Sequence, residues 1–244
     1  MDEEKKELDL HETQLPALSK NIPGIEDFPD TSVVIPRLII GQPNNLSGYA
    51  EGKFINNLTQ ETFDKLNVVV LRFKRSRTLW PAGKPNKGDE PECRAGDAKK
   101  ADIEFTGREC NRCNKEHDHC VDEKEQPVCE HAKFTEDFRP ECRLGYHLLL
   151  IASPSGDVFV MTLTGKGISP TNKLLSNFKV RGRPPYSATL SISLEKSIDG
   201  NYYTIRYSDF KWLEDPEELK GMFDRFKSIQ ITTAKEEDPV ILTE

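Results

Sequence analysis

Six cysteines, Cys93, Cys110, Cys113, Cys120, Cys129 and Cys142, fall within 50 consecutive positions of a 244-residue chain, together with His117, His119 and His131. The stretch that holds them is rich in Glu, Asp and Lys and poor in apolar side chains, so it cannot bury enough surface to order itself. A bound ion supplies what that missing core cannot. Cys110-Asn111-Arg112-Cys113 has the two-residue spacing at which one tight turn offers two thiolates to a shared centre, and zinc takes four such ligands in a tetrahedron. The set Cys93, Cys110, Cys113 and Cys142 would clamp the excursion at its base, because Cys93 ends the incoming segment and Cys142 opens the strand that leaves. A self-contained alternative joins Cys110 and Cys113 to Cys120 or His119 and to Cys129 or His131. Nine potential ligands also leave room for a second site. Four cysteines around one ion leave no open coordination position, so the expected zinc is structural.

This reading assumes a reducing compartment. No apolar run approaches the ~18 residues a membrane-spanning helix needs. The opening MDEEKKELDL has neither the charge nor the apolar stretch of a secretory signal. Both point to a cytoplasmic protein, in which clustered cysteines serve metals rather than disulfides.

The net charge of −7 is unevenly distributed. Residues 1–30 carry −6, residues 84–142 carry −5 and residues 235–244 carry −3, whereas residues 31–83 carry +4 and residues 143–234 carry +3. The chain therefore divides into an acidic flexible arm (1–30), a basic core in two pieces (31–83 and 143–230), the cysteine-bearing insertion between them (84–142) and an acidic C-terminal tail (231–244). A cationic scaffold flanked by acidic ends is compatible with a polyanionic partner.

Strands dominate the core. Val33 to Ile40, Lys53 to Asn57 and Leu66 to Lys74 are β-rich, and in the last of these uninterrupted alternation puts Val68, Val70 and Arg72 on one face and Val69, Leu71 and Phe73 on the other. Gly145 to Ala152 and Val158 to Leu163 flank Ser153-Pro154-Ser155-Gly156-Asp157, a hairpin signal. Ser169-Pro170 offers an N-cap and first-turn pair for a helix through Phe178. Two more strands, Ala188 to Ser197 and Tyr202 to Trp212, precede a final helix begun by Asp215-Pro216-Glu217-Glu218. The expected fold is mainly β with minor α: an antiparallel barrel or curled sheet with two short helices.

Three segments of that core mix cations with rings. Arg72, Phe73, Lys74, Arg75, Arg77 and Trp80 lie on one strand end. Lys179, Arg181, Arg183 and Tyr186 surround a Gly and a Pro pair. Tyr203, Arg206 and Trp212 lie on the late strand, beside Tyr202, Tyr207, Phe210 and Lys211. Unpaired nucleic acid is held by cations that track phosphates and by flat rings on which bases stack, each stack contributing about 1–3 kcal/mol. The chain has no GxxxxGK[ST], GxSxG or HExxH motif, and its carboxylates crowd into the arm, insertion and tail. It reads as a binding protein rather than an enzyme.

The order of features, Ile35-Pro36-Arg37-Leu38, then Glu51-Gly52-Lys53-Phe54-Ile55-Asn56-Asn57, then a strand ending Arg75 to Trp80 and a cysteine insertion rejoining at Cys142-Arg143-Leu144-Gly145-Tyr146, resembles bacteriophage single-stranded-DNA-binding proteins over roughly residues 33–228. The resemblance implies an OB-like antiparallel barrel with a zinc-stabilised insertion and an acidic tail that contacts replication or recombination proteins. It also implies sequence-tolerant protection of exposed strands in phage DNA replication or recombination, inside a bacterial host. Two other readings compete: a zinc-finger adaptor that contacts replication or transcription machinery, and a metal-dependent nuclease.

Overall fold

The computed structural model describes residues 34–43, 48–81, 90–110, 114, 116, 119–136, 139–227 and 240–241. The arm expected over 1–30, most of the tail, Cys113 and His117 lie outside the described residues. Along the chain, β1 (Val34–Ile35), β2 (Leu38–Ile40), β3 (Phe54–Asn56) and β4 (Thr62–Phe63) precede the long β5 (Lys65–Leu79). The insertion contributes β6 (Cys93–Ala95). There follow β7 (Arg143–Ser153), β8 (Val158–Thr164), α1 (Ile168–Val180), β9 (Ala188–Lys196), β10 (Tyr203–Trp212), α2 (Glu217–Phe226) and β11 (Val240–Ile241).

The main sheet has the order β10-β9-β5-β7-β8, with β6 added beside the far end of β5, and its pairings are antiparallel. The fold is mainly β with two helices, as expected, but the sheet does not close: β8 and β10 remain its two edges. The run Val68-Val69-Val70-Leu71 is continuously apolar because both faces of the sheet are covered. On one face Val68, Val70, Leu148, Leu150, Phe159 and Met161 pack with Phe54 of β3 and with Leu174 and Phe178 of α1. On the other, Leu71, Leu149, Ile151 and Val160 pack with Ile35 of β1 and with Met222 and Phe226 of α2.

Two local expectations are corrected. Alternation along β5 is broken by a bulge between Val70 and Arg72, which leaves Leu71 without a partner residue on β7. One extra residue reverses the phase of everything after it. Phe73 thereby joins Val68 and Val70, edge-on to Tyr146 with ring centroids 4.9 Å apart, while Arg72 joins Leu71 on the α2 side and donates to the Phe226 carbonyl at 3.3 Å. Helix α1 starts at Ile168, running straight on from a 3-10 turn over Gly165–Gly167, so Ser169 lies inside it and does not cap it.

A buried polar network crosses the α2 side. His147 is 2% exposed and contacts the Ser76 hydroxyl through Nε2 at 2.6 Å and the Thr162 hydroxyl through Nδ1 at 3.1 Å, and Arg37 Nη1 donates to the same Thr162 oxygen at 3.1 Å. Burial, helped by the Arg37 and Lys74 charges, lowers the imidazole from 6.5 to about 4. The unfolded chain therefore binds a proton that the folded chain refuses. Stability is full above the ordinary imidazole range and falls as pH drops from 6.5 towards 4, by up to about 3 kcal/mol. Urea unfolding midpoints at both ends of this window should show the loss, and His147→Gln should flatten it. An equal loss in that variant would place the acid sensitivity elsewhere.

The two described tail residues pair antiparallel with β1, Val34 opposite Ile241 and Ile35 opposite Val240. Ile35 is anchored in the α2-side core, so this part of the tail docks on the α2 side of the sheet.

Candidate nucleic-acid interface

Helix α1 lies over the end of the sheet formed by β9 and β10. It is fixed there by Thr171, whose hydroxyl donates to the Gly167 carbonyl at 2.8 Å and accepts from the Tyr207 hydroxyl, also at 2.8 Å. Burial raises the Tyr207 phenol well above its ordinary value, so it stays a neutral donor. Between α1 and the edge strand β10 runs a groove of about 540 Å³. Lys166, Lys173, Arg206 and the carboxylate of Glu195 are exposed along it, with Tyr202, Tyr207 and Phe210 in its walls.

At the Phe210 end the groove meets Trp212. This ring packs edge-on against Phe210 at 4.8 Å and Phe178 at 5.7 Å, and the guanidinium groups of Arg183 and Arg181 lie over it at 5.0 and 5.8 Å. Cation–ring pairs of this kind contribute about 0.5–1 kcal/mol each at exposed sites. Lys179 is exposed on the last turn of α1. From Val158 to Leu194 the sequence has five cations and no carboxylate. Lys166 and Lys173 were missed among the candidate binding residues, and that acid-free stretch is the signal that would have found them.

The structure thus brings together the second and third cationic segments and draws the first away from them. Arg72 and Lys74 are half-buried towards α2, and burial lowers both from their ordinary values, with Arg72 adding to the effect on Lys74. Arg75 pairs with Glu125 of the insertion at 3.1 Å, and the same carboxylate holds Lys99 at 3.0 Å. Arg77 is half-buried beside the insertion's thiols, its Nε buried without a hydrogen-bond partner. Trp80 is half-buried just past the end of β5. Tyr186 packs on Phe223 of α2 at 5.3 Å, away from the groove. Tyr203 sits at the opposite end of β10 from Trp212, its ring under Lys196 at 5.4 Å and its hydroxyl donating to Glu51 at 3.2 Å.

The insertion is attached to the sheet through β6, where Cys93 lies opposite Leu79 and Ala95 opposite Arg77. Around Leu79 a small core collects Cys93, Cys110 and Cys142 with Ala101 and Ala132, and Cys129 packs against it. Cys120 packs nearby with Ala95 and Val121. No disulfide links the described cysteines. The Ala132 N–H donates to the Cys129 carbonyl at 3.0 Å and the Cys142 N–H to the His131 carbonyl at 2.8 Å, and the N–H groups of His131 and Ala132 partly offset the effect of burial on the Cys129 thiol. Burial pushes the Cys93 thiol up to about 12 and Cys120 up to about 11, with neighbouring thiols adding to both; Cys129 and Cys142 are raised by burial as well. Arg77 works in the opposite direction on Cys120, Cys129 and Cys142. Among the described residues, no group of three His, Cys, Asp or Glu side chains is drawn tightly enough to hold an ion. The CxxC spacing that favours Cys113 is visible along the chain, whereas the place of Cys129 against this small core depends on the fold around the 3-10 turn at Glu130–Ala132.

Comparison with protein-family models, with curated proteins and with solved structures gives no match for this chain.

Proposed function

We propose that the chain binds single-stranded DNA without reading its sequence, with bases stacked at Trp212 and phosphates tracked by the cations of the α1–β10 groove. The observation that carries this reading is the Trp212 ring beneath Arg183 and Arg181, at one end of a groove whose charged lining residues are Lys166, Lys173 and Arg206 against one carboxylate, Glu195. Every base has a flat face, so a ring-and-guanidinium platform is tolerant of sequence, and the cations supply backbone affinity. The antiparallel sheet, whose end strands β8 and β10 are not joined and whose β8 is bordered by the segment between β1 and β2, fits an OB-like scaffold short of closure. The resemblance adds a role in protecting exposed strands during phage replication or recombination.

Zinc belongs to the same reading, as a staple for the insertion. Cys93, Cys110, Cys129 and Cys142 gather at one small core, and Arg77 offsets the charge that ionised sulfurs would bring. With Cys113 of the CxxC pair, these five are the candidate ligands. Binding would draw the sulfurs inward, the usual coupling of metal to local folding.

Fluorescence titration with a labelled oligothymidine tests the main reading. Trp212→Ala should weaken binding about tenfold, the loss of one stacking platform. Arg75→Ala should change it less than about twofold, because Glu125 already holds that guanidinium. The reverse order would assign the surface to β5 instead. The adaptor reading has one observation of its own, the exposed Ile103 and Phe134 on the insertion, 94% and 78% accessible. Absence of oligothymidine binding in dilute buffer would favour it.

A further inference from the structure

Resting on the groove reading, we propose that the groove holds one base-selective subsite, formed by Tyr202 and Glu195, which favours a base carrying an exocyclic amino group over thymine. The rest of the groove stays indifferent to sequence. Glu195 lines the groove beside Lys166, Lys173 and Arg206. It is exposed, and among the described residues it makes no ion pair and no hydrogen bond. The carboxylates around it are engaged: Glu51 with Lys196 at 3.0 Å, Asp209 with Lys65 at 2.6 Å, and Asp199 with the Ser197 hydroxyl and the Asn201 N–H. An unpaired carboxylate in a groove for phosphates lowers affinity by repulsion unless the strand offers it a hydrogen-bond donor. The donors of a DNA strand are on its bases.

The register of β9 and β10 sets a ring beside that carboxylate. Thr204 lies directly opposite Glu195. Side chains two residues apart on a strand share a face, so Tyr202 and Arg206 flank Thr204 on the face that carries Glu195. The Ser197 N–H donates to the Tyr202 carbonyl at 2.9 Å and the Tyr202 N–H to the Ser197 hydroxyl at 3.2 Å, which extends the ladder to Tyr202 and fixes its backbone. Tyr202 and Glu195 are thus diagonal neighbours across an antiparallel pair, about 7–8 Å apart and within reach of a ring and a long acid. Tyr202 is half-buried in the groove wall, and among the described residues its ring packs on no other ring and its hydroxyl has no partner. The remaining rings of β10 are engaged: Tyr203 with Lys196 and Glu51, Tyr207 with Thr171, and Phe210 with Trp212. A base stacked on Tyr202 turns its edge towards Glu195, and an ionised carboxylate only accepts hydrogen bonds. Cytosine offers its N4 amino group, whereas thymine offers a single N3–H between two carbonyl oxygens that repel the carboxylate. Lys166 and Arg206 remain for the phosphates on either side.

The test compares three single strands of equal length by competition against a common labelled probe: oligothymidine, oligodeoxycytidine, and oligodeoxycytidine dimethylated at N4. The wild-type protein should bind oligodeoxycytidine about tenfold more tightly than oligothymidine. Dimethylation removes both N4 donors and leaves the ring free to stack, so it should return the affinity to the oligothymidine level. Glu195→Gln removes a negative charge and should tighten all three complexes, but it should also shrink the cytosine-to-thymine ratio to less than about threefold. A carboxylate that merely repelled phosphates would shift the three strands alike and keep the ratio. Tyr202→Ala should weaken binding and reduce the ratio, and Tyr202→Phe, which keeps the ring, should preserve both. Equal wild-type affinity for the cytosine and thymine strands overturns the subsite and leaves the groove reading standing, and a preference that survives dimethylation or Glu195→Gln overturns it as well. Failure of all three strands to bind overturns both. The wild-type comparison uses no substitution, so a folding defect in a variant does not blunt it.

Discussion

Raising the salt concentration from about 50 to about 200 mM should weaken oligothymidine binding by about 300-fold. The figure comes from the cations placed along the groove and around Trp212: Lys166, Lys173, Lys179, Arg181, Arg183 and Arg206. Each phosphate neutralised on a single strand releases condensed counterions and contributes about 0.7 to the logarithmic salt slope, so these six give a slope of about 4. Reversing Arg183 and Lys173 to glutamate should lower the slope by more than one unit and reduce affinity at every salt concentration. Reversing Lys74, half-buried on the α2 side, should leave the slope within a few tenths of wild type. A slope below one in the wild-type protein would mean that the groove does not meet phosphates, whatever the affinity.

The proposed zinc staple predicts the second largest effect, confined to one part of the chain. Chelation, or replacement of Cys142 by serine, should abolish amide protection across residues 93–142 while β7, β8 and β9 stay protected. The insertion's own core consists of Leu79, two alanines and the cysteines, with Phe105 against it, far too little apolar surface to offset the entropy of ordering some fifty residues. A structural zinc contributes apparent binding energies of about 10–16 kcal/mol in small metal-dependent domains, so on the proposed staple its loss would remove most of what holds the insertion. The main sheet has a separate core, built on Leu148, Leu150, Phe159 and Met161. Elemental analysis should find about one zinc per chain, retained in Cys120→Ser and lost in Cys142→Ser. Purified protein free of zinc with a protected insertion would refute the staple.

The strands were legible because their signals are local. Alternation and β-branched runs mark β7, β8, β9 and β10 to within a few residues, and Ser153 to Asp157 turns the chain where β7 and β8 meet. The acidic, cysteine-rich composition likewise marks the insertion. What the sequence hides is relational. The bulge at Leu71 adds one residue to a run that looks regular, and nothing in Val70-Leu71-Arg72 announces that the phase reverses there. Arg75 looks like any exposed cation until Glu125, fifty positions later, is folded against it. The groove needs α1 and β10 side by side, an arrangement made by β9 pairing with β5 across more than a hundred residues of intervening chain. Arg37 carries no mark of burial in Ile35-Pro36-Arg37-Leu38; its environment is created by β8 and β10.

One strand connects the insertion to the groove. β5 is hydrogen-bonded at its start to β9, which carries β10 and hence one wall of the groove, and at its finish to β6, which carries the first cysteine. Fifteen extended residues at about 3.3 Å each make a beam of about 50 Å, and β7 splints it along most of that length. A load applied to the thiol-rich excursion is therefore carried through continuous backbone, past the bulge at Leu71, to the β9–β10 hairpin. On the proposed function, a partner that tugs on the insertion would pull on the strand held in the groove as well.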